Sequence, residues 1–293
     1  MLMSTAQLNS QQLAHLAELS AVCKIADGNI IPFYPHMLSQ TRAVPCNILF
    51  YQQQTLVGFL SAFFFYQDAC EVSVMVAPAY RKQGIATQML TEILPHLSLE
   101  QINSLIFSTT PAFSLDNNYL PSHGFLYQSS EYEMRRDSFT PVTAVNLALQ
   151  IRPACLDDMP TLCALDLACF PDQAADMEWR FRTLLNDPAY GLFVASYQGR
   201  LLGKAHIQWL EDSARFADIA IIPAMQNRGF GSALLSHCVN HALSLHKSNL
   251  LLEVATNNQN ALNLYTKLGF TISNVCDYWV IARKALYSLL QFA

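Results

Sequence analysis

The stretch that decides the fold reads Ile221-Ile222-Pro223-Ala224-Met225-Gln226-Asn227-Arg228-Gly229-Phe230-Gly231-Ser232. Branched apolar residues and a proline close a strand, and a polar turn bearing glycine follows. Leu234, Leu235, Cys238, Val239 and Ala242 then fall on one face of a helix. Such a turn aims several backbone N–H groups at one point, where the helix dipole adds partial positive charge. Glycine lets a phosphate approach the main chain there. No Gly-Lys-Ser/Thr follows, so the loop is not that of a P-loop nucleotide-binding protein. The first glycine of the dinucleotide fingerprint is missing as well.

The design is written twice. Val76-Ala77-Pro78-Ala79-Tyr80-Arg81-Lys82-Gln83-Gly84-Ile85-Ala86-Thr87 precedes it, with Gly84 145 residues before Gly229. At that same offset Leu56-Val57-Gly58 recurs as Leu201-Leu202-Gly203, and Gly124-Phe125 recurs as Gly269-Phe270. Landmarks sharing one offset predict a tandem duplication. The expected division is a first domain over residues 1–138, a linker at 139–147 around Pro141, and a second domain over 148–293. Each domain reads as mixed α/β. In the second, strands are expected at 148–152, 192–197, 201–209, 216–222 and 250–254, with a hairpin turn at Gln198-Gly199. Helices are expected at 157–167 and 174–185, and a short one carries Ala261, Leu264, Tyr265 and Leu268 up to Gly269. The first domain follows the same order, except that Pro95 should end or kink its loop helix.

Composition removes several functions. The chain has 293 residues, a net charge of −5 and only 13% charged residues. It writes no basic face for a nucleic-acid backbone. Its longest apolar stretch, residues 56–66, falls short of the roughly 20 residues a membrane helix needs. Met1 to Gln12 shows no signal-peptide pattern. Eight cysteines form no Cys-x-x-Cys pair, as expected of reduced core thiols in a cytoplasmic protein. His237 and His241 stand four residues apart, but the glutamate of the zinc-protease motif is missing and no metal is expected.

The two loops, each Gln/Arg-x-x-Gly-x-Gly/Ala behind a Val/Ile-x-Pro strand, resemble the acyl-CoA pyrophosphate loop of the GCN5-related N-acetyltransferases, the GNAT family. The resemblance covers nearly the whole chain as two copies. It implies an α/β (α+β) class in which each copy has a mixed, mostly antiparallel sheet, splayed after its fourth strand and flanked by helices. It also implies acetyl-CoA as co-substrate. Pantetheine would pair with Ile219, Ala220 and Ile221, or with the strand from Ser73 to Val76. The pyrophosphate would sit on Asn227, Arg228, Gly229, Phe230, Gly231 and Ser232, or on Lys82, Gln83, Gly84, Ile85, Ala86 and Thr87.

Further on, Leu252-Glu253-Val254, Asn258, Ala261 and Leu264-Tyr265 through Gly269-Phe270 resemble the ribosomal-protein N-alpha-acetyltransferase branch of that family. The branch's general base falls on Glu253, its CoA-contacting asparagine on Asn258 and its general acid on Tyr265. An amine of pKa about 8–10 must lose a proton before it attacks a thioester, and the leaving thiolate must gain one. Asp218 is a competing base, or a water serves. Tyr265 could instead be packing, and Asn258 a helix cap. In the first copy these positions carry Ser108, Phe113 and Leu120, with Tyr119 one residue away from the acid's place. Chemistry is therefore expected in the second domain, beside a degenerate first domain that keeps a phosphate loop. The tandem arrangement is similar to that of mycothiol synthase. The implied acceptor is a primary amine, either a protein N-terminus or a small amine, and the implied assembly a monomer or homodimer. The alternative is an acyl-CoA-binding scaffold without turnover. Acceptor choice should lie in loops 30–37 and 169–175 and around residues 274–279, where Asp277, Tyr278 and Trp279 are either an acceptor wall or packing.

Overall fold

The computed structural model describes residues 1–66, 68–99, 102–116, 118–143, 148–170 and 177–291. In chain order the first repeat forms β1 (Leu2–Thr5), α1 (Ser10–Asp27), α2 (Pro35–Leu38), β2 (Asn47–Gln52) and β3 (Thr55–Phe63). It continues through β4 (Ala69–Val76), α3 (Ile85–Leu99), β5 (Ser104–Thr109), α4 (Pro111–Asp116), α5 (Tyr119–Ser122) and β6 (Leu126–Asp137). The second repeat forms β7 (Gln150–Pro153), α6 (Met159–Cys169), α7 (Met177–Asn186), β8 (Tyr190–Tyr197), β9 (Arg200–Trp209) and β10 (Ser213–Ile221). Then come α8 (Phe230–Ser244), β11 (Asn249–Ala255), α9 (Gln259–Lys267), β12 (Thr271–Ala282) and α10 (Arg283–Gln291).

The chain divides into two compact units, Met1–Glu131 with Asn274–Ala293, and Tyr132–Ser273. The first unit's strands lie in the order β1-β2-β3-β4-β5-β12, the second's in the order β6-β11-β10-β9-β8-β7. All neighbours for which a register is defined are antiparallel except β4 with β5 and β10 with β11. This division differs from the one expected at residues 139–147. Residues 132–143 belong to the second unit, and everything from Asn274 onward belongs to the first; residues 144–147 lie outside the described chain. The physical reason is strand pairing. The open edge of β5 is taken by β12, from Asp277 opposite Thr109 to Ala282 opposite Ser104. A strand edge leaves a row of unpaired N–H and C=O groups, and a strand of equal length satisfies them wherever it comes from in sequence.

The repeat landmarks have packing causes. On β3 every residue from Leu56 to Phe63 is buried, the pattern of a strand covered on both faces. A Cβ on Gly203 would stand 2.4 Å from Ile221 Cδ1 and 2.8 Å from the Ala220 carbonyl, and one on Gly58 would stand 2.8 Å from Ile85 Cγ2. In both repeats, then, the glycine is where the strand ahead of the loop strand meets an isoleucine of the loop region. The cores are separate sets, one around Phe59, Leu60, Met89 and Leu105, the other around Phe216, Leu234, Leu252 and Phe270. Each such side chain contributes roughly 1.5–3 kcal/mol by leaving water.

Pro95 does not end its helix. α3 runs on to Leu99 and equals α8 in length at 15 residues. The ring removes one backbone donor, but Ile93, Leu94 and Leu97 on either side are buried in the core and hold the last turn in place. The helix expected at 174–185 is α7, described from Met177; residues 174–176, and with them most of loop 169–175, lie outside the described chain. No helix of the described residues is long and apolar enough to cross a membrane.

Candidate active site

Each unit splays at the same place. β10 pairs with β11 only from Ser213 to Phe216, then runs on to Ile221. β4 pairs with β5 only from Ala69 to Ser73, then runs on to Val76. Beyond those points a gap opens between the strands. Ile222 N donates to Leu202 O, so strand alternation turns Ala220 toward β9 and leaves the backbone of Ile219 and Ile221 facing the gap. By the same parity Val74 and Val76 face the gap in the first unit, because Ala77 N donates to Val57 O.

The loops after these strands share a backbone. A 3₁₀ turn at Pro78–Tyr80 or Pro223–Met225 is followed by left-handed residues, Lys82 (φ 59°) and Gly84 (φ 75°), or Asn227 (φ 60°) and Gly229 (φ 82°). Consecutive turns of this kind make a concave nest of N–H groups. Gly229 offers no side-chain cap to α8, so the N–H groups of Phe230, Gly231 and Ser232 at its first turn lack a capping partner. These features fit a phosphate. The strand's last carbonyl is consumed in both units. Gln226 Nε2 donates to Ile221 O at 2.9 Å, and Arg81 Nε donates to Val76 O at 3.0 Å. A thiol from the preceding helix joins each, Cys169 Sγ at 3.5 Å and Cys23 Sγ at 3.6 Å. The sequence hid this pairing because the cysteines stand 146 residues apart, one off the common offset.

In the second unit the strand is not regular at the splay. The β10–β9 register slips between Ala217 and Ala220, and Asp218 lies in the left-handed region at φ 47°. β4 meets β3 without a slip from Val76 to Glu71. The bulge at Asp218 rests on a buried charge cluster. Lys204 is fully buried, with Nζ 2.5 Å from Asp166 Oδ1, 3.3 Å from His206 Nε2 and 3.8 Å from Asp218 Oδ2. His206 Nδ1 is 3.2 Å from Asp218 Oδ2, and Arg180 pairs with Asp166. The rings of Phe170 and Phe181 close over the ammonium at 5.5 and 5.0 Å. Burial lowers the pKa of His206 and of Lys204. Burial alone would raise that of Asp218, but the His206 hydrogen bond and the Lys204 and Arg180 charges hold it well below the usual carboxylate range. A carboxylate held so strongly ionised is a poor proton acceptor. The alternation Lys204-Ala205-His206 on an apolar strand is the one sequence signal that could have revealed the cluster.

Tyr265 is buried on α9, packed with Phe270 in the core, and burial pushes its pKa up to about 12. Glu253 stands on β11 with its side chain 40% exposed, held by Arg215 Nη1 at 2.5 Å. Asn258 caps α9, its Oδ1 accepting from Ala261 N at 3.1 Å. In the first unit the corresponding Leu120 is buried, and Ser108 Oγ is engaged by Ser73 Oγ at 3.2 Å. Asp277, Tyr278 and Trp279 lie on β12 opposite Thr109, Ser108 and Phe107, in the first unit and not the second. The first unit's gap opens into a cleft of about 1410 Å³, lined by Val74 to Val76, the loop from Lys82 to Thr87, and β5.

Comparison with known proteins agrees with this geometry. The acetyltransferase (GNAT) family matches residues 14–125 and again 159–270. Mycothiol acetyltransferase of Mycobacteroides abscessus is 26% identical over 290 residues, 91% of this chain and 95% of that protein. The ribosomal protein bS18-alanine N-acetyltransferase of Escherichia coli K12 is 28% identical over 125 residues, 40% of this chain and 84% of that protein. Among solved structures, a GCN5-related N-acetyltransferase from Sphaerobacter thermophilus shares the fold with a TM-score of 0.77 at 15% identity, covering 96% of both chains. A tandem GNAT protein from the clavulanic acid biosynthesis pathway shares it with a TM-score of 0.70 at 13% identity, covering 97% of this chain and 98% of that one. With two splayed sheets, two phosphate-type loops and a family match to each repeat, this chain is a tandem N-acetyltransferase of the GNAT family.

Proposed function

We propose that the second unit transfers an acetyl group directly from acetyl-CoA to a primary amine. The observation that carries this reading is the difference between the two splay points. β10 bulges at Asp218 and has Glu253 and Tyr265 in the same unit, whereas β4 is regular and its unit has Ser108 and Leu120 at the matching positions. Bulges beside a site re-aim the backbone. Here the bulge stands next to Ile219, where the thioester end of an acetyl-CoA anchored on Asn227 to Ser232 would arrive.

In this reading the amine nitrogen attacks the thioester carbonyl and the oxyanion leans on a strand N–H. The amine proton passes to Glu253 through a water. Tyr265 donates to the departing thiolate, and Asn258 touches CoA while capping α9. Asp218 stays a fixed anion. The acceptor is a peptide N-terminus or a small amine, in keeping with relatives named ribosomal protein bS18-alanine N-acetyltransferase and mycothiol acetyltransferase. In the first unit, Val76 and the loop from Lys82 to Thr87 hold CoA without turnover. The test is CoA release with alanine-terminated peptides and small primary amines. Turnover that falls with Tyr265→Phe supports the reading. Tight acetyl-CoA binding with no release for any amine points to a scaffold instead.

A further inference from the structure

The first unit's cleft carries more apolar wall than an acetyl group can use. One end is fixed by the loop at the start of α3, the other by the last β4–β5 pair, Ser73 with Ser108. Between them the cleft is faced by Phe107, Leu120 and Phe125, and by Leu286, Leu289 and Leu290 of α10. Phe107 and Phe125 meet edge to face at 5.4 Å, and Leu286 is 2% exposed, so this wall is firmly packed. α10 is an addition to the repeat: no helix is found between β6 and β7 among the described residues. At about 1410 Å³ the cleft also exceeds the roughly 300–1,000 Å³ common for small-ligand sites.

We propose that the first unit binds a medium- or long-chain acyl-CoA and holds it unreacted, with the chain lying against the leucines of α10. The proposal rests on reading the loop from Lys82 to Thr87 as a CoA phosphate loop. The polar end of the ligand meets the loop's N–H groups and Lys82, and its hydrocarbon end meets the six apolar side chains. The thioester survives because Leu120 stands where the second repeat has Tyr265, and the Ser108 hydroxyl is engaged by Ser73.

The test is calorimetric titration of the full chain with CoA, acetyl-CoA and decanoyl-CoA. Each buried methylene is worth about fourfold in affinity. Even partial burial therefore predicts decanoyl-CoA binding at least about 100-fold tighter than acetyl-CoA. Leu289→Ser and Leu290→Ser should each remove about tenfold or more of that gain, while affinity for CoA itself changes less than about threefold. Equal affinity for acetyl-CoA and decanoyl-CoA would overturn the proposal and leave the phosphate loop standing. A gain that persists undiminished in both serine variants would place the chain elsewhere and overturn it too. If no CoA species binds, the reading of the loops falls with it.

Discussion

Tyr265 is a phenol enclosed in the second unit's core, and its raised pKa has a kinetic consequence. With a value of about 12 it stays protonated throughout the working range, as the proposed general acid must. Tyr265→Phe should lower kcat by roughly 10²–10⁴, the usual span of general-acid catalysis, with acetyl-CoA affinity nearly kept. As pH rises from 6 to 10, kcat/KM should climb with deprotonation of the amine and show no descending limb from Tyr265. A fall in that interval would assign the donor to another group. Lys204 bears on stability instead. Removing its charge leaves Asp166 buried with one cation fewer and Asp218 with one counter-charge fewer. Lys204→Met should therefore cost about 3–5 kcal/mol of stability, read as a lower urea midpoint. The placement of Glu253, Asn258 and Tyr265 on a strand, a helix cap and a helix was legible because their spacing belongs to one local strand–turn–helix. The bulge at Asp218 was not, because it depends on Gly203, Lys204 and His206 from a neighbouring strand and on Asp166 from a helix.

Among the elements, the strand–loop–helix unit is legible in the sequence nearly to the residue. A proline before the turn, glycine in the left-handed region and an apolar helix stripe are all local signals. α3 runs past Pro95 because tertiary contacts, which a local reading does not see, offset proline's cost. Pro95 is exposed while Ile93, Leu94 and Leu97 are buried, so Pro95→Ala should restore a backbone hydrogen bond without disturbing the core. The expected gain is about 1–3 kcal/mol, measured by urea denaturation. A loss would mean that the ring itself packs usefully.

For the whole molecule, the duplication is legible in three landmarks at one offset, but the exchange of last strands is not. β6 and β12 are both 12-residue strands that follow a Gly-Phe pair, and nothing local says which β5-type edge each will meet. The exchange predicts that residues 1–138 alone do not fold cooperatively, since β5 then lacks the partner supplied by Asp277 to Ala282. Residues 1–131 joined by a flexible linker to 274–293 should show a cooperative thermal transition by circular dichroism. Two folded halves cut at 139–147 would contradict the exchange.

On the proposed reading, acetyl transfer runs on the second unit's loop alone, and the first unit's loop holds its ligand unreacted. The most direct test is CoA release, with an alanine-terminated peptide or the best small amine found, by chains carrying Gly84→Glu or Gly229→Glu. Each substitution puts a strained, negatively charged side chain into one loop. Turnover should fall by orders of magnitude with Gly229→Glu and far less with Gly84→Glu. The reverse order would move the chemistry to the first unit and overturn the proposed function.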